Sequence, residues 1–189
     1  MEISVGVSNR HVHLTEEHFK TLFGEDATLE VVKELTQPGQ FASNCKVTIK
    51  TEKSEIPGVR VLGPIRPYTQ VEISKTDAFK LGLNPPVRNS GDLENSSPIT
   101  IVGPNGSVDV EKGCIIATRH IHATPADAEN YGLTDGQVVK VEVINEKGGI
   151  LYNVSVKVSE ANAWELHVDT DDANGNFIKQ GDIVNIIVD

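Results

Sequence analysis

No stretch of this 189-residue chain is apolar for long enough to cross a bilayer as a helix, and its start, Met1-Glu2-Ile3-Ser4-Val5-Gly6-Val7, lacks the charged and apolar regions of a secretion signal. It reads instead as a first strand of a soluble protein. Cysteine is nearly absent: Cys45 and Cys114 stand far apart with no CxxC pair, which argues against a disulfide framework and for a reducing cytoplasm. Positive charge is also short, with 17 Lys and Arg against 27 Asp and Glu, a formal charge of −10. Such a field repels phosphate backbones, and with aromatics at only 5% there is no stacking stripe to offset it, so nucleic acid is disfavoured as a partner. G-x-G-x-x-G, Walker and G-x-S-x-G motifs are missing, which removes the usual nucleotide and serine-hydrolase readings. An anionic substrate would therefore need local positive charge from arginines, metal ions or helix N-termini.

What the chain does have is alternation. Lys46–Lys50, Gly58–Leu62, Gln70–Ser74, Val138–Val143 and Tyr152–Val158 place apolar residues at every second position between turn-forming Gly and Pro, the pattern of short strands in a barrel or sandwich. Helices are few. The clearest begin at Thr15 and Thr124, each a threonine suited to cap a first turn, with Pro125 at the first helical position of the second and Gly132 at its end.

The chain also repeats itself. Ser8-Asn9-Arg10-His11-Val12-His13-Leu14-Thr15 matches Ala117-Thr118-Arg119-His120-Ile121-His122-Ala123-Thr124, and Gln70-Val71-Glu72-Ile73-Ser74-Lys75-Thr76-Asp77-Ala78 matches Glu165-Leu166-His167-Val168-Asp169-Thr170-Asp171-Asp172-Ala173. Residues 83–98, rich in Pro, Asn and Ser, read as the junction. Two similar halves, 1–90 and 91–189, related by a pseudo-twofold axis and free to exchange strands, are expected.

Residues i and i+2 of a strand point to one face, so His11 with His13, and His120 with His122, can each reach one metal ion. A lone His-x-His is weak evidence; two in the same context, using four of six histidines, are much stronger. Adding Glu72 to the first pair and His167 to the second gives two three-ligand sets of the catalytic zinc type, each with an open fourth position. His18, in the first turn of a helix, is set aside. Cys114 would share the face of His120 if a strand ran unbroken from 114 to 122 and would then offer a further ligand; the alternative is a small buried hydrophobe.

Arg66, at the turn leading into the strand of Glu72, can hold a phosphate with its guanidinium fork, or simply cap a surface turn. Arg10 and Arg119 point away from the histidines and suit structural ion pairs. Arg88-Asn89-Ser90-Gly91 is either a loop of backbone donors for an anion or an ordinary linker turn. Asp169–Asn174 lacks the spacing of a calcium loop and suits the cap of a short helix buttressing His167.

Together, Ser8–Leu14, Gln37-Pro38-Gly39-Gln40-Phe41, Gly63-Pro64-Ile65-Arg66, Gln70–Glu72, Arg119–His122 and Glu165–Asp171 resemble the PduL-type phosphate acyltransferases, over essentially the whole chain. The resemblance implies a mainly β protein of two small barrels with a few capping helices and a dinuclear zinc site between them. It also implies reversible transfer of a short acyl group, propanoyl or acetyl, between coenzyme A and phosphate. One zinc would take His11, His13 and Glu72, the other His120, His122 and His167; Arg66 would hold phosphate, Leu62 and Asn174 would lie near CoA, and a homodimer is expected. Members sent to microcompartments carry an N-terminal extension, so a free cytoplasmic enzyme is expected here. No residue looks like an activated nucleophile, which favours direct attack of phosphate on the thioester. A zinc hydrolase of thioesters or phosphoesters would use the same ligands with water as nucleophile. A scaffold with structural metal is a third reading, but three ligands per half leave a position open, as catalytic zinc requires.

Overall fold

A computed structural model describes residues 1–188, which form two compact units, neither continuous in sequence. One comprises Met1–Asn9, Thr36–Pro38 and the chain from Thr118 onward; the other comprises Arg10–Leu35 and Gly39–Ala117. The chain is mainly β, with a closed six-stranded barrel in each unit and, among the described residues, four short helices.

The first barrel runs β1 (Glu2–Ser8), β13 (Glu165–Asp169), β10 (His120–Ala123), β12 (Gly149–Val158), β11 (Val138–Val143) and β14 (Ile183–Ile187), and closes on β1. The second runs β9 (Ser107–Ala117), β6 (Gln70–Glu72), β2 (His11–His13), β5 (Glu55–Gly63), β4 (Phe41–Lys50) and β8 (Ser97–Val102), closing on β9. Beyond the ring, β3 (Val31–Glu34) pairs with β4 and β7 (Val87–Arg88) with β9. The strand directions correspond: β1 with β13 and β10 with β12 are parallel, as are β9 with β6 and β2 with β5.

Each His-x-His strand therefore lies in a different unit from the strand that leads into it. The extended run breaks at residues 9–10 and again at 118–119. In consequence β1 joins the barrel of the C-terminal repeat and β9 that of the N-terminal repeat, so a cut at residues 90/91 separates β8 and β9 from the unit that holds them.

Period-two patterning becomes burial in register. Along β4, Ser43, Cys45, Val47 and Ile49 are buried while Asn44, Lys46 and Lys50 are exposed. Two separate cores follow, one around Val12, Ile49, Val61, Val71, Ile101 and Cys114, the other around Val5, Ile121, Val141, Val154, Val156 and Leu166. Each such fully buried side chain contributes about 1.5–3 kcal/mol of transfer free energy. Among the described residues no helix is long and apolar enough to cross a membrane.

The helices follow their caps. Thr15 accepts a hydrogen bond from the His18 amide at the start of α1 (Glu16–Phe23), and Thr124 forms a reciprocal capping box with Asp127 at the start of α3 (Pro125–Tyr131), which Gly132 ends in a left-handed conformation. Asp169 caps α4 (Thr170–Gly175), as its acidic stretch suggests. Ser74 caps α2 (Lys75–Leu81), a helix of just under two turns, shorter than the window of roughly 11–18 residues over which a helical period stands out.

Candidate metal centres

In the unit containing the C-terminal repeat, β10 and β13 pair antiparallel with His120 opposite His167 and His122 opposite Glu165. The three imidazoles converge, with ring centroids 4.7–5.2 Å apart. Their outer nitrogens are already committed. His120 Nδ1 lies 2.7 Å from the Thr118 carbonyl, which can only accept, so Nδ1 carries the proton and Nε2 a lone pair. His122 Nδ1 lies 3.3 Å from Asn162 Oδ1; because the Asn162 amide nitrogen donates to the carbonyls of Ala123 and Lys157, its oxygen must face His122 and accept. The two Nε2 lone pairs then meet at 3.1 Å with no proton between them. Burial is the main reason both rings are held neutral, aided by Lys157 and the neighbouring rings: His122 is lowered to about 4 and His120 falls well below the usual range. Facing lone pairs repel unless a cation lies between them, so this donor set fits a metal ion.

In the other unit, β2 and β6 place His11 opposite Glu72, with His11 Nε2 3.4 Å from Glu72 Oε2 and the rings of His11 and His13 5.0 Å apart. His13 is hydrogen-bonded to the backbone of Leu62, and its Nδ1 is buried without a hydrogen-bond partner. Burial first, then the nearby charges of His11 and Arg66, push His13 well below its ordinary pKa. An unsatisfied buried nitrogen costs about 1–3 kcal/mol, and a bound cation relieves that cost. In each triad one ligand atom per residue lies within 4.8 Å of the others, so His11, His13 and Glu72 fit a metal as His120, His122 and His167 do.

Arg66 lies half-buried in the same unit as Glu72 and at the end of one polar chain. Its Nη1 is 3.3 Å from Ser90 Oγ and 3.4 Å from the Tyr68 hydroxyl, and its Nη2 is 3.3 Å from Gln40 Oε1. Gln70 Nε2 reaches both Ser90 Oγ at 2.8 Å and Glu72 Oε1 at 2.6 Å. The guanidinium is thus tied through Ser90 and Gln70 to a candidate metal ligand. Its own bonds are long and to neutral oxygens, which a doubly charged oxyanion would outcompete.

The profile of the phosphate propanoyltransferase family matches residues 4–179. This chain belongs to that family. Curated phosphate propanoyltransferases resemble it nearly end to end: one from Thermotoga maritima is 55% identical over 98% of this chain and 89% of its own length. One from Priestia megaterium is 49% identical over 95% and 83%, and one from Rhodopseudomonas palustris 47% over 98% and 82%. Membership makes the protein an enzyme of the acyltransferase class.

For this member of the phosphate propanoyltransferase family, the remaining sequence-marked residues fall as follows. Leu62 is a partly buried residue of β5 and Asn174 an exposed one on α4. Arg10 and Arg119 form ion pairs, Arg10 with Asp77 at 2.8 Å and Arg119 with both oxygens of Asp172 at 2.6 and 2.8 Å. Cys114 lies in β9, which ends at Ala117; it is a fully buried core residue, outside both triads, and burial pushes its thiol up to about 12. In Arg88–Gly91 the Gly91 amide is engaged, donating to Gln70 Oε1 at 2.7 Å, and the Arg88 side chain turns back to Asp92 and the Glu94 carbonyl. Gln70, Gln40, Tyr68, Asn162 and Glu165 carry no role of their own in the sequence, and Ser90 figures there only as part of the Arg88–Gly91 loop. For Gln70 and Glu165 a signal existed: they align with each other in the second repeat, two residues before Glu72 and His167.

Proposed function

We propose that this enzyme catalyses acyl-CoA + phosphate ⇌ acyl phosphate + CoA, taking propanoyl or acetyl, with two zinc ions per chain, one bound by each triad. The reading rests above all on the Nε2 atoms of His120 and His122, neutral and facing one another at 3.1 Å. Zinc so bound would supply Lewis acidity toward the thioester carbonyl and positive charge for phosphate and the departing thiolate.

The chain's own residues do the rest. Arg66 binds phosphate through its fork and exchanges its bonds to Ser90, Tyr68 and Gln40 for the stronger bonds to an anion. A phosphate oxygen attacks the carbonyl carbon directly, the new C–O bond forms, the C–S bond breaks and CoA leaves as thiolate. An acyl-enzyme is disfavoured: both cysteines are buried, and burial raises both thiols. We assign Leu62 and Asn174 to CoA contact. Phosphate-dependent release of CoA from propanoyl-CoA and acetyl-CoA, abolished by chelation and restored by zinc, is the expected result. CoA release at the same rate without phosphate would instead identify a thioester hydrolase.

A further inference from the structure

Each triad has a third ligand, Glu72 or His167, that differs in chemistry between the repeats, and the residue two positions earlier differs with it. Gln70 precedes Glu72 on β6 and Glu165 precedes His167 on β13, in both cases on the same strand face. Gln70 Nε2 donates to Glu72 Oε1 at 2.6 Å, and Glu165 Oε2 accepts from His167 Nε2 at 2.7 Å. Resting on the metal reading above, we propose that Gln70 and Glu165 are matched positioning residues, each fixing the orientation of its triad's third ligand.

The pairing follows from what each ligand must offer. An ionised carboxylate only accepts hydrogen bonds, so a supporting group behind Glu72 has to donate. A neutral imidazole that presents one nitrogen to a cation carries its proton on the other, so the group behind His167 has to accept. Glutamine and glutamate meet these opposite needs with side chains of the same length.

Neither support is free to turn. The Gly91 amide donates to Gln70 Oε1 at 2.7 Å, so the amide cannot flip, and its nitrogen is directed at Glu72 and Ser90. Gln70 is fully buried and Glu165 is 5% exposed, so a misoriented polar group at either position would have no water to turn to. Charge is conserved as well. Ligands and support together hold one carboxylate in each repeat, Glu72 in the ligand position of one and Glu165 in the supporting position of the other, so a dication meets the same net charge at both.

The test is zinc affinity, measured on the full chain by competition with a chromophoric chelator, together with the visible absorption of the cobalt-loaded protein and far-UV circular dichroism to confirm folding. Gln70→Glu sets two carboxylates against each other, and Glu165→Ala removes the acceptor behind His167; each is expected to weaken one of two sites about 10- to 100-fold. The double variant Gln70→Glu/Glu72→His transplants the second repeat's pair into the first and is expected to recover affinity to within about threefold of the unaltered protein, with a cobalt spectrum shifted toward a three-imidazole ligand set. The two single variants are read independently, so loss of fold in one leaves the other to decide.

Unchanged affinity in the single variants, with the unaltered protein binding two zinc ions, overturns this inference alone. So does a double variant no tighter than Gln70→Glu. Failure of the unaltered protein to bind zinc overturns the metal reading and this inference with it.

Discussion

Arg66 is held by three neutral oxygens at 3.3–3.4 Å, a geometry that keeps the guanidinium in place without using its full bonding capacity. Lysine in its place keeps the charge but loses the fork. Arg66→Lys is expected to raise KM for phosphate about tenfold and Arg66→Ala about 100-fold, from the 1.5–3 kcal/mol carried by hydrogen bonds to charged groups. KM for acyl-CoA should move much less in initial-rate assays varying each substrate in turn. The cysteines make a second residue-scale case. Both thiols are buried and raised, Cys114 to about 12. Because the thiolate is the reactive form and exists only above the thiol's pKa, the native protein at pH 8 should release almost no chromophore from a disulfide reagent. Two equivalents should appear after unfolding, and rapid labelling of the native protein would contradict the burial.

At the scale of elements, each repeat carries the same clamp. The arginine before the His-x-His strand reaches the third residue of a short helix, Arg10 to Asp77 on α2 and Arg119 to Asp172 on α4, and that aspartate's own amide is bonded to the cap, Ser74 or Asp169. Each clamp ties the loop entering the His-x-His strand to the helix following the third-ligand strand, so ligand positions on different strands are fixed together. Close approach of strands matters equally. β1 runs parallel to β13 with Gly6 beside His167, and a Cβ at Gly6 would lie 2.9 Å from both Glu165 Cδ and His167 Cδ2. Gly6→Ala is therefore expected to displace that pair and weaken zinc at one triad about 10-fold or more while the barrel persists. Chelator competition together with circular dichroism would check both halves of that expectation.

For the whole molecule, a charge of −10 opposes the anionic substrates proposed for it, and two bound dications would offset 4 of those charges locally where it matters most. In one triad His13 Nδ1 is buried without a hydrogen-bond partner, and in the other the Nε2 atoms of His120 and His122 face each other at 3.1 Å, so each gains from a cation. Zinc should accordingly act as a stabilising ligand of the folded chain. With free zinc at roughly 100 times its Kd, each site is expected to add about 2.7 kcal/mol, read as a rise in the urea midpoint over chelator-treated protein. An unchanged midpoint would mean that the triads do not take up the metal when folded.

The two candidate triads were legible in the sequence because a strand's two-residue period is a local property: His-x-His declares a shared face wherever it occurs, and duplication marks Glu72 and His167 as equivalents. Caps at Thr15, Thr124 and Asp169 were legible for the same reason, each needing only its own next three residues. Tertiary structure alone decided which barrel β1 and β9 join, since β1 pairs with residues more than 160 positions away and β9, besides its hairpin with β8, with residues about 40 positions away, and nothing in their patterning names those distant partners. It also decided that Ser90, in a stretch that reads as a linker, lies against Arg66 and Gln70, and that the Gly91 amide orients Gln70. Hydrogen bonds between distant segments depend on closure of the whole barrel, and periodicity along one strand carries no record of it.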